Sequence, residues 1–120
     1  MTGQAFPKTV RLRTSPEFDR VYRSKHYAAD GTLVICGARN GTEVTRLGVS
    51  VSRKVGNAVV RNRWKRQIRE AFRKQRLDLP PGLDLVMRPK KGATCDGLAI
   101  ARSIVKLTLR LDRSIPTDRS

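Results

Sequence analysis

Arg61, Asn62 and Arg63 place two guanidinium forks around one amide. A guanidinium matches a phosphate through two parallel hydrogen bonds, so this tripeptide is suited to gripping a polyanion backbone. Just ahead of it, Gly56 and Asn57 can break a strand and start a helix. That start could offer backbone N–H groups to a phosphate, although an ordinary helix cap would use the same two residues. Arg53 and Lys54 precede the turn, and Lys65, Arg66, Arg69 and Arg73 follow it at helical spacing. Between Arg53 and Arg76 ten cations face a single acid, Glu70. A helix laced with i,i+4 ion pairs needs acids, so this density calls for an anion from outside the chain. Bond-breaking chemistry has no evident agents. There is no paired set of acids, no metal-ligand cluster, no Ser/His/Asp arrangement and no glycine loop to cradle a nucleotide, so no residue is assigned a catalytic role. His26 stands without a partner at metal or triad spacing and is expected at the surface.

Aromatic residues offer a second chemistry. Phe18 and Tyr22 lie four apart and can stack unpaired bases; packing into a small core is the alternative for both. Trp64 falls on an apolar stripe and is expected in the core.

These side chains need elements to hold them. Thr14-Ser15-Pro16-Glu17 starts a helix, either with Ser15 as cap and Pro16 at the first position or through a Thr14–Glu17 capping box. Phe18, Val21 and Tyr22 then share a face, and the helix should end near Ser24. Thr32 to Cys36 reads as a strand, and Arg39-Asn40-Gly41-Thr42 as a hairpin turn into a return strand from Arg46 to Ser52. Along that strand Leu47, Val49 and Val51 face one way, while Gly48, Ser50 and Ser52 make a small, polar, open face. In the helix that follows, Val60, Trp64, Ile68, Ala71 and Phe72 form an apolar stripe. Asn62, Arg66, Arg69 and Arg73 lie opposite, Lys65 flanks them, and Arg61 sits beside the stripe. Leu83 to Met87 is a short strand, and Thr94 or Asp96 caps a last helix with Ile100, Ala101, Ile104, Leu107 and Leu111 on its inner face. The strand–helix–strand run from Arg46 to Met87 suggests a crossover unit, with the helices covering one face of a small sheet.

The 120 residues suit one domain: a basic arm over 1–13, an α/β body over 14–112 and a tail over 113–120. Lys and Arg number 26 against 10 Asp and Glu, a formal charge of +16. Self-repulsion of that size works against compactness, and its return is binding to a polyanion. Nucleic acid is the first candidate, ahead of a membrane surface or solubility alone. Cys36 and Cys95 are too few for a disulfide framework or a zinc site. No secretory signal is evident and no apolar run approaches the roughly 18 residues of a spanning helix, so the expectation is a cytoplasmic protein off the membrane.

The run from Leu47 through Val-Ser-Val-Ser-Arg-Lys-Val-Gly-Asn-Ala-Val-Val-Arg-Asn-Arg-Trp to Phe72 closely resembles the signature of the bacterial ribonuclease P protein component. The Glu17 to Tyr22 helix and the Leu83 to Pro89 strand match as well, and the resemblance spans roughly residues 8 to 111. It implies an α+β fold, a two-layer α/β sandwich with a four-stranded sheet in the order αβββαβα. It also implies a left-handed βαβ crossover, against the usual rule, and an added short strand near Tyr27-Ala28. The implied partners are a catalytic RNA and precursor tRNA, with no obligate protein partner. The RNA, holding Mg2+ that this chain does not bind, would cut the 5′ leader, while the protein grips that leader in a cleft between the sheet and the first helix. By position, Lys54, Asn57, Arg61, Asn62, Arg63, Lys65, Arg66 and Arg69 fall on the family's RNA-binding motif; Arg53, Gly56 and Arg73 join them here by charge and turn. Phe18 and Tyr22 fall on the leader-contacting aromatics, and Ser50 on the open cleft floor. Where some members carry a sheet aromatic, this chain aligns Cys36, which removes stacking there. A structural RNA-binding protein of ribosomal type, with no part in turnover, is the rival reading.

Overall fold

A computed structural model describes residues 10–117. Thr14 caps the first helix, α1 (Ser15–Arg23), through a full capping box with Glu17, and Pro16 lies in its first turn. The chain then forms β1 (Tyr27–Ala29), β2 (Leu33–Arg39) and β3 (Arg46–Val49). A short 3-10 turn over Arg53–Val55 leads into α2 (Ala58–Gln75), followed by β4 (Leu83–Pro89) and α3 (Gly97–Ser114). Asp96 rather than Thr94 caps α3, accepting from the N–H groups of Leu98 and Ala99. The result is an α+β fold with one four-stranded mixed sheet, and the strand at Tyr27 is present as the resemblance implied.

The expected hairpin is absent. Sheet order is β1-β2-β4-β3, so β4 lies between the two strands that the Asn40-Gly41 turn was expected to pair. β2 runs antiparallel to β4, with Ile35 opposite Met87, and β3 runs parallel to it, with Leu47 opposite Leu85. Parallel neighbours need a long crossover, and α2 supplies it. Gly41 does take the left-handed φ of 73°. Its loop nevertheless runs on to Thr45, because Asn40 bonds Val44 O and Thr42 N and spans the end of β4 instead of reversing onto a neighbour. β3 also stops at Val49 rather than Ser52, where the 3-10 turn begins.

The sheet's alternation sorts the helices. Leu33, Ile35, Leu47, Leu83, Leu85 and Met87 face α2 and α3 in one core. There they meet Trp64, Ile68 and Phe72 from α2 and Ile100, Ile104, Leu107 and Leu111 from α3. The opposite face carries Cys36 and Val86, which pack with Leu12, Phe18 and Val21. Thus α1 does not join the other helices on one side, as the pattern suggested; it covers one end of the other face and leaves the rest as a groove. A buried carboxylate anchors it there. Asp84, on β4, pairs with Arg20 of α1 and with Arg46 of β3 at 2.6 Å, and accepts from the Asn40 amide at 2.8 Å.

Both ends of the body extend further than expected. Val10 and Leu12 are buried, and Leu12 N–H donates to Leu47 O at 2.8 Å, covering the exposed edge of β3. At the other end Ile115 is buried, and Arg39 donates to Asp112 and to Ile115 O. The remainder of the expected arm and tail, residues 1–9 and 118–120, lies outside the described residues. No helix among the described residues is long and apolar enough to cross a membrane.

Candidate nucleic-acid interface

The cationic surface is built from the start of α2. Asn57 is its cap, its side chain accepting from Val60 N–H at 3.0 Å. Gly56 is required by space: a Cβ there would lie 2.9 Å from Val60 Cβ. Arg61 folds back to donate to Gly56 O at 3.2 Å. Asn57 thus caps α2, and Arg61 is half-buried beside the Gly56 turn.

Successive helical residues turn by about 100°, so the Arg-Asn-Arg run is splayed over three surfaces. Arg61 lies on the turn. Asn62 joins the outer face. Arg63 lies close enough to Cys95, at the approach to α3, to act on its thiol, whose pKa is pushed up mainly by burial and eased by that guanidinium. Trp64, next in line, is 2% exposed and seats the helix on the core.

The outer face forms a hollow of about 410 Å³ lined by Asn62, Lys65, Arg66, Arg69 and Arg73, with Glu70 and Arg11. Glu70 is taken by Arg73 at 2.6 Å and Lys74 at 3.5 Å. The hydrogen bond from Arg73 chiefly holds the Glu70 carboxyl below its usual range and raises Arg73 in turn. Arg73 therefore enters the surface as one half of an ion pair, unlike Arg66 and Arg69. Arg69 has its pKa pushed down by burial first and then by the charge of Arg11. Arg11 and Arg69 thus share one wall of this hollow.

Arg11 was missed in the sequence. Its signal was there: Val10-Arg11-Leu12-Arg13 alternates with period two, and the structure buries Val10 and Leu12 while exposing both arginines. Arg11 and Arg69 also line a second hollow of about 300 Å³ with Arg13, Phe18, Leu47 and Val49. Through these two shared residues the cationic face of α2 runs on to the rim of the groove. Arg53 and Lys54 lie exposed on the 3-10 turn at the other end of α2.

In the groove, Phe18 is half-buried against the Leu12, Val21 and Val86 cluster. Its ring fills the space over Gly48, where a Cβ would lie 2.7 Å from Phe18 Cζ. Gly48 is thus closed by α1 rather than open to a strand, a correction to the small open face read from the sequence. Tyr22, one helical turn on, is 39% exposed. Cys36 is half-buried with Arg88 Nη1 at 3.8 Å from its sulfur, and Ser50 N–H donates to Met87 O at 3.0 Å just past the end of β3. Phe18 and Cys36 therefore meet in one cluster, and Ser50 follows the end of β3.

The pattern that defines the Ribonuclease P family matches residues 6–112. The ribonuclease P protein component of Brevibacillus brevis is 41% identical over 105 residues, covering 86% of this chain and 83% of that protein. Its counterpart in Petrotoga mobilis is 38% identical over 117 residues, covering 93% and 99%. Among solved structures, the RNase P protein of Thermotoga maritima superposes with a TM-score of 0.77 at 30% identity, covering 83% of this chain and 96% of that one. The Staphylococcus aureus RNase P protein gives 0.75 at 31%, covering 88% and 97%.

Proposed function

This chain belongs to the ribonuclease P protein family, and on that premise we propose how its surfaces divide the work. The chain is the protein subunit of a ribonucleoprotein endoribonuclease whose chemistry is carried by RNA. In our reading the outer face of α2, with Asn62, Lys65, Arg66 and Arg69, docks the catalytic RNA. The groove beside α1 holds the single-stranded 5′ leader of precursor tRNA, with Phe18 and Tyr22 as its aromatic wall.

The observation that carries this division is the continuity of charge from one surface to the other through Arg11 and Arg69. A strand leaving the groove remains over guanidinium groups until it reaches the docked RNA, so substrate and catalyst are held side by side. Phosphate contacts position the RNA without reading its sequence, which suits a protein that must accept many leaders. A structural RNA-binding protein with no part in turnover has no feature in its favour.

Magnesium is assigned to the RNA in this reading, where it would activate the attacking water and stabilise the leaving oxygen. The acids bordering the interface support that assignment by being engaged: Glu70 with Arg73 and Lys74, Glu17 with the Arg13 and Thr14 N–H groups, Asp84 with Arg20 and Arg46. A cytoplasmic setting goes with the same reading, as does the absence of an obligate protein partner.

Reconstitution with the cognate catalytic RNA tests it. The protein should lower the magnesium needed for cleavage and tighten precursor over mature tRNA. If it does neither, the role in turnover is wrong.

A further inference from the structure

Beyond the groove, a pocket of about 740 Å³ opens between the start of α2 and the loop that follows β4. Its walls are apolar: Val55, Val60 and Trp64 on one side, Pro89 and Ala93 on the other. Its rim is cationic, with Lys54, Arg88, Lys90 and Lys91, and among the described residues no carboxylate lines it. The loop is fixed by backbone hydrogen bonds, one of them to the turn before β2. Lys90 N–H donates to Thr32 O and Ala93 N–H to Lys90 O, each at 2.9 Å, and Gly92 turns the chain at φ 82°.

That combination selects its occupant. A free phosphate has no use for the apolar walls, and a neutral apolar molecule has none for four cations. A nucleotide within a strand satisfies both, its base inside and its neighbouring phosphates on the rim. The volume lies within the usual range for small-molecule sites, ~300–1,000 Å³. The pocket is also continuous with the groove. Val34 and Arg88 line it from β2 and β4, and Arg88 reaches back to the Cys36 sulfur on the groove floor.

We propose that this pocket receives one unpaired base of the precursor's 5′ leader, beyond the stretch held beside Phe18 and Tyr22. The proposal rests on the leader reading of the groove and adds a base-binding site to it.

The experiment walks a single abasic position along the leader of a precursor tRNA and measures affinity for the reconstituted holoenzyme. One position should stand out by tenfold or more, about the scale of a lost base stack. Ala93→Phe, which fills the pocket, should show the same loss with the intact leader and no further loss with that abasic leader. The paired substitution Lys90→Ala with Lys91→Ala leaves the walls in place. It should weaken both leaders equally and flatten the salt dependence, and it keeps the test open if the phenylalanine disturbs folding. The proposal is overturned if Ala93→Phe binds like the native chain while retaining its thermal stability, or if the only sensitive positions are those that Phe18→Ala also abolishes. It is overturned as well if Ala93→Phe weakens the catalytic RNA alone by the same factor, since the occupant then belongs to that RNA. A native holoenzyme that gains nothing from any leader would instead sink the groove reading itself.

Discussion

Arg66, Arg69 and Arg73 look equivalent on a helical wheel, yet the structure gives them unequal work. Arg73 is already bonded to Glu70 through two nitrogens, at 2.6 and 3.1 Å. Arg66→Ala and Arg69→Ala should each weaken catalytic-RNA binding and flatten the log–log salt dependence by about one unit, the signature of a lost phosphate contact. Arg73→Ala should change the slope less, because binding through Arg73 must first loosen its ion pair. Affinity titrations across a salt series decide this, and equal slopes for all three variants would return Arg73 to the docking surface. The aromatic pair divides in a similar way. Phe18 is wedged over Gly48, so Phe18→Ala should lower both thermal stability and precursor affinity. Tyr22, more exposed, should lose precursor affinity on Tyr22→Ala by ~1–3 kcal/mol with little change in melting. A matching loss for mature tRNA would show that neither residue touches the leader. Helical spacing made it legible that Asn62, Lys65, Arg66, Arg69 and Arg73 share one face; what it lacked was partners. Glu70 shares its turn with Arg73 and could be paired from the sequence, whereas the Arg11–Arg69 approach joins the start of the chain to its middle and could not.

Elements were legible where their causes are local. The capping box of α1, the Asn57 and Asp96 caps and the apolar stripes of α2 and α3 each follow from residues within one or two turns of each other. Sheet order was not legible, because β4 inserts between β2 and β3 from a distant part of the chain, and the Asn40-Gly41 signal is the same whether or not it does. The side taken by α1 was hidden for a related reason. Asp84 is one polar position in the Leu83 to Met87 strand, and only the fold shows it fully buried between Arg20 and Arg46, where an unpaired carboxylate would be costly. Another acid joins elements in a way that pH can test. Asp30, at the β1–β2 turn, accepts from Thr32 and Leu33 N–H, from the Ser103 hydroxyl at 2.6 Å and from Lys106 at 3.1 Å, tying the turn to α3. Burial pushes its carboxyl up, but these donors outweigh it and hold the carboxyl well below its ordinary value of 3.8. A carboxyl lowered on folding adds stability that is full above its unfolded value and is lost as pH falls through the folded one. The native chain should therefore melt higher than Asp30→Asn near neutral pH, with the gap narrowing once pH drops below about 4. A gap that stays constant to lower pH would mean that the asparagine loses shape rather than charge.

At the scale of the whole molecule, a formal charge of +16 is carried on a body with a radius of gyration of 13.5 Å. Asp84 and Asp30 are spent on the fold and do little to neutralise the outer face of α2 or the pocket rim, and Glu70 offsets only the charge of Arg73 and Lys74 beside it. Charges separated by less than the Debye length, about 10 Å at 0.1 M salt, repel across that surface. Salt should then act with opposite signs on folding and on binding. Raising monovalent salt should raise the melting temperature of the free protein by screening repulsion, while it weakens RNA binding by reducing the gain from counterion release. Both quantities can be read in one buffer series. The double substitution Arg66→Ala with Arg69→Ala sharpens the contrast: it should melt higher than the native chain at low salt, converge with it at high salt, and bind RNA worse throughout. A double variant that melts no higher at low salt would mean that these two arginines do not strain the free fold. Their crowding beside Arg11 would then have been offset within the chain, and the low-salt stability of the protein would have to be limited elsewhere.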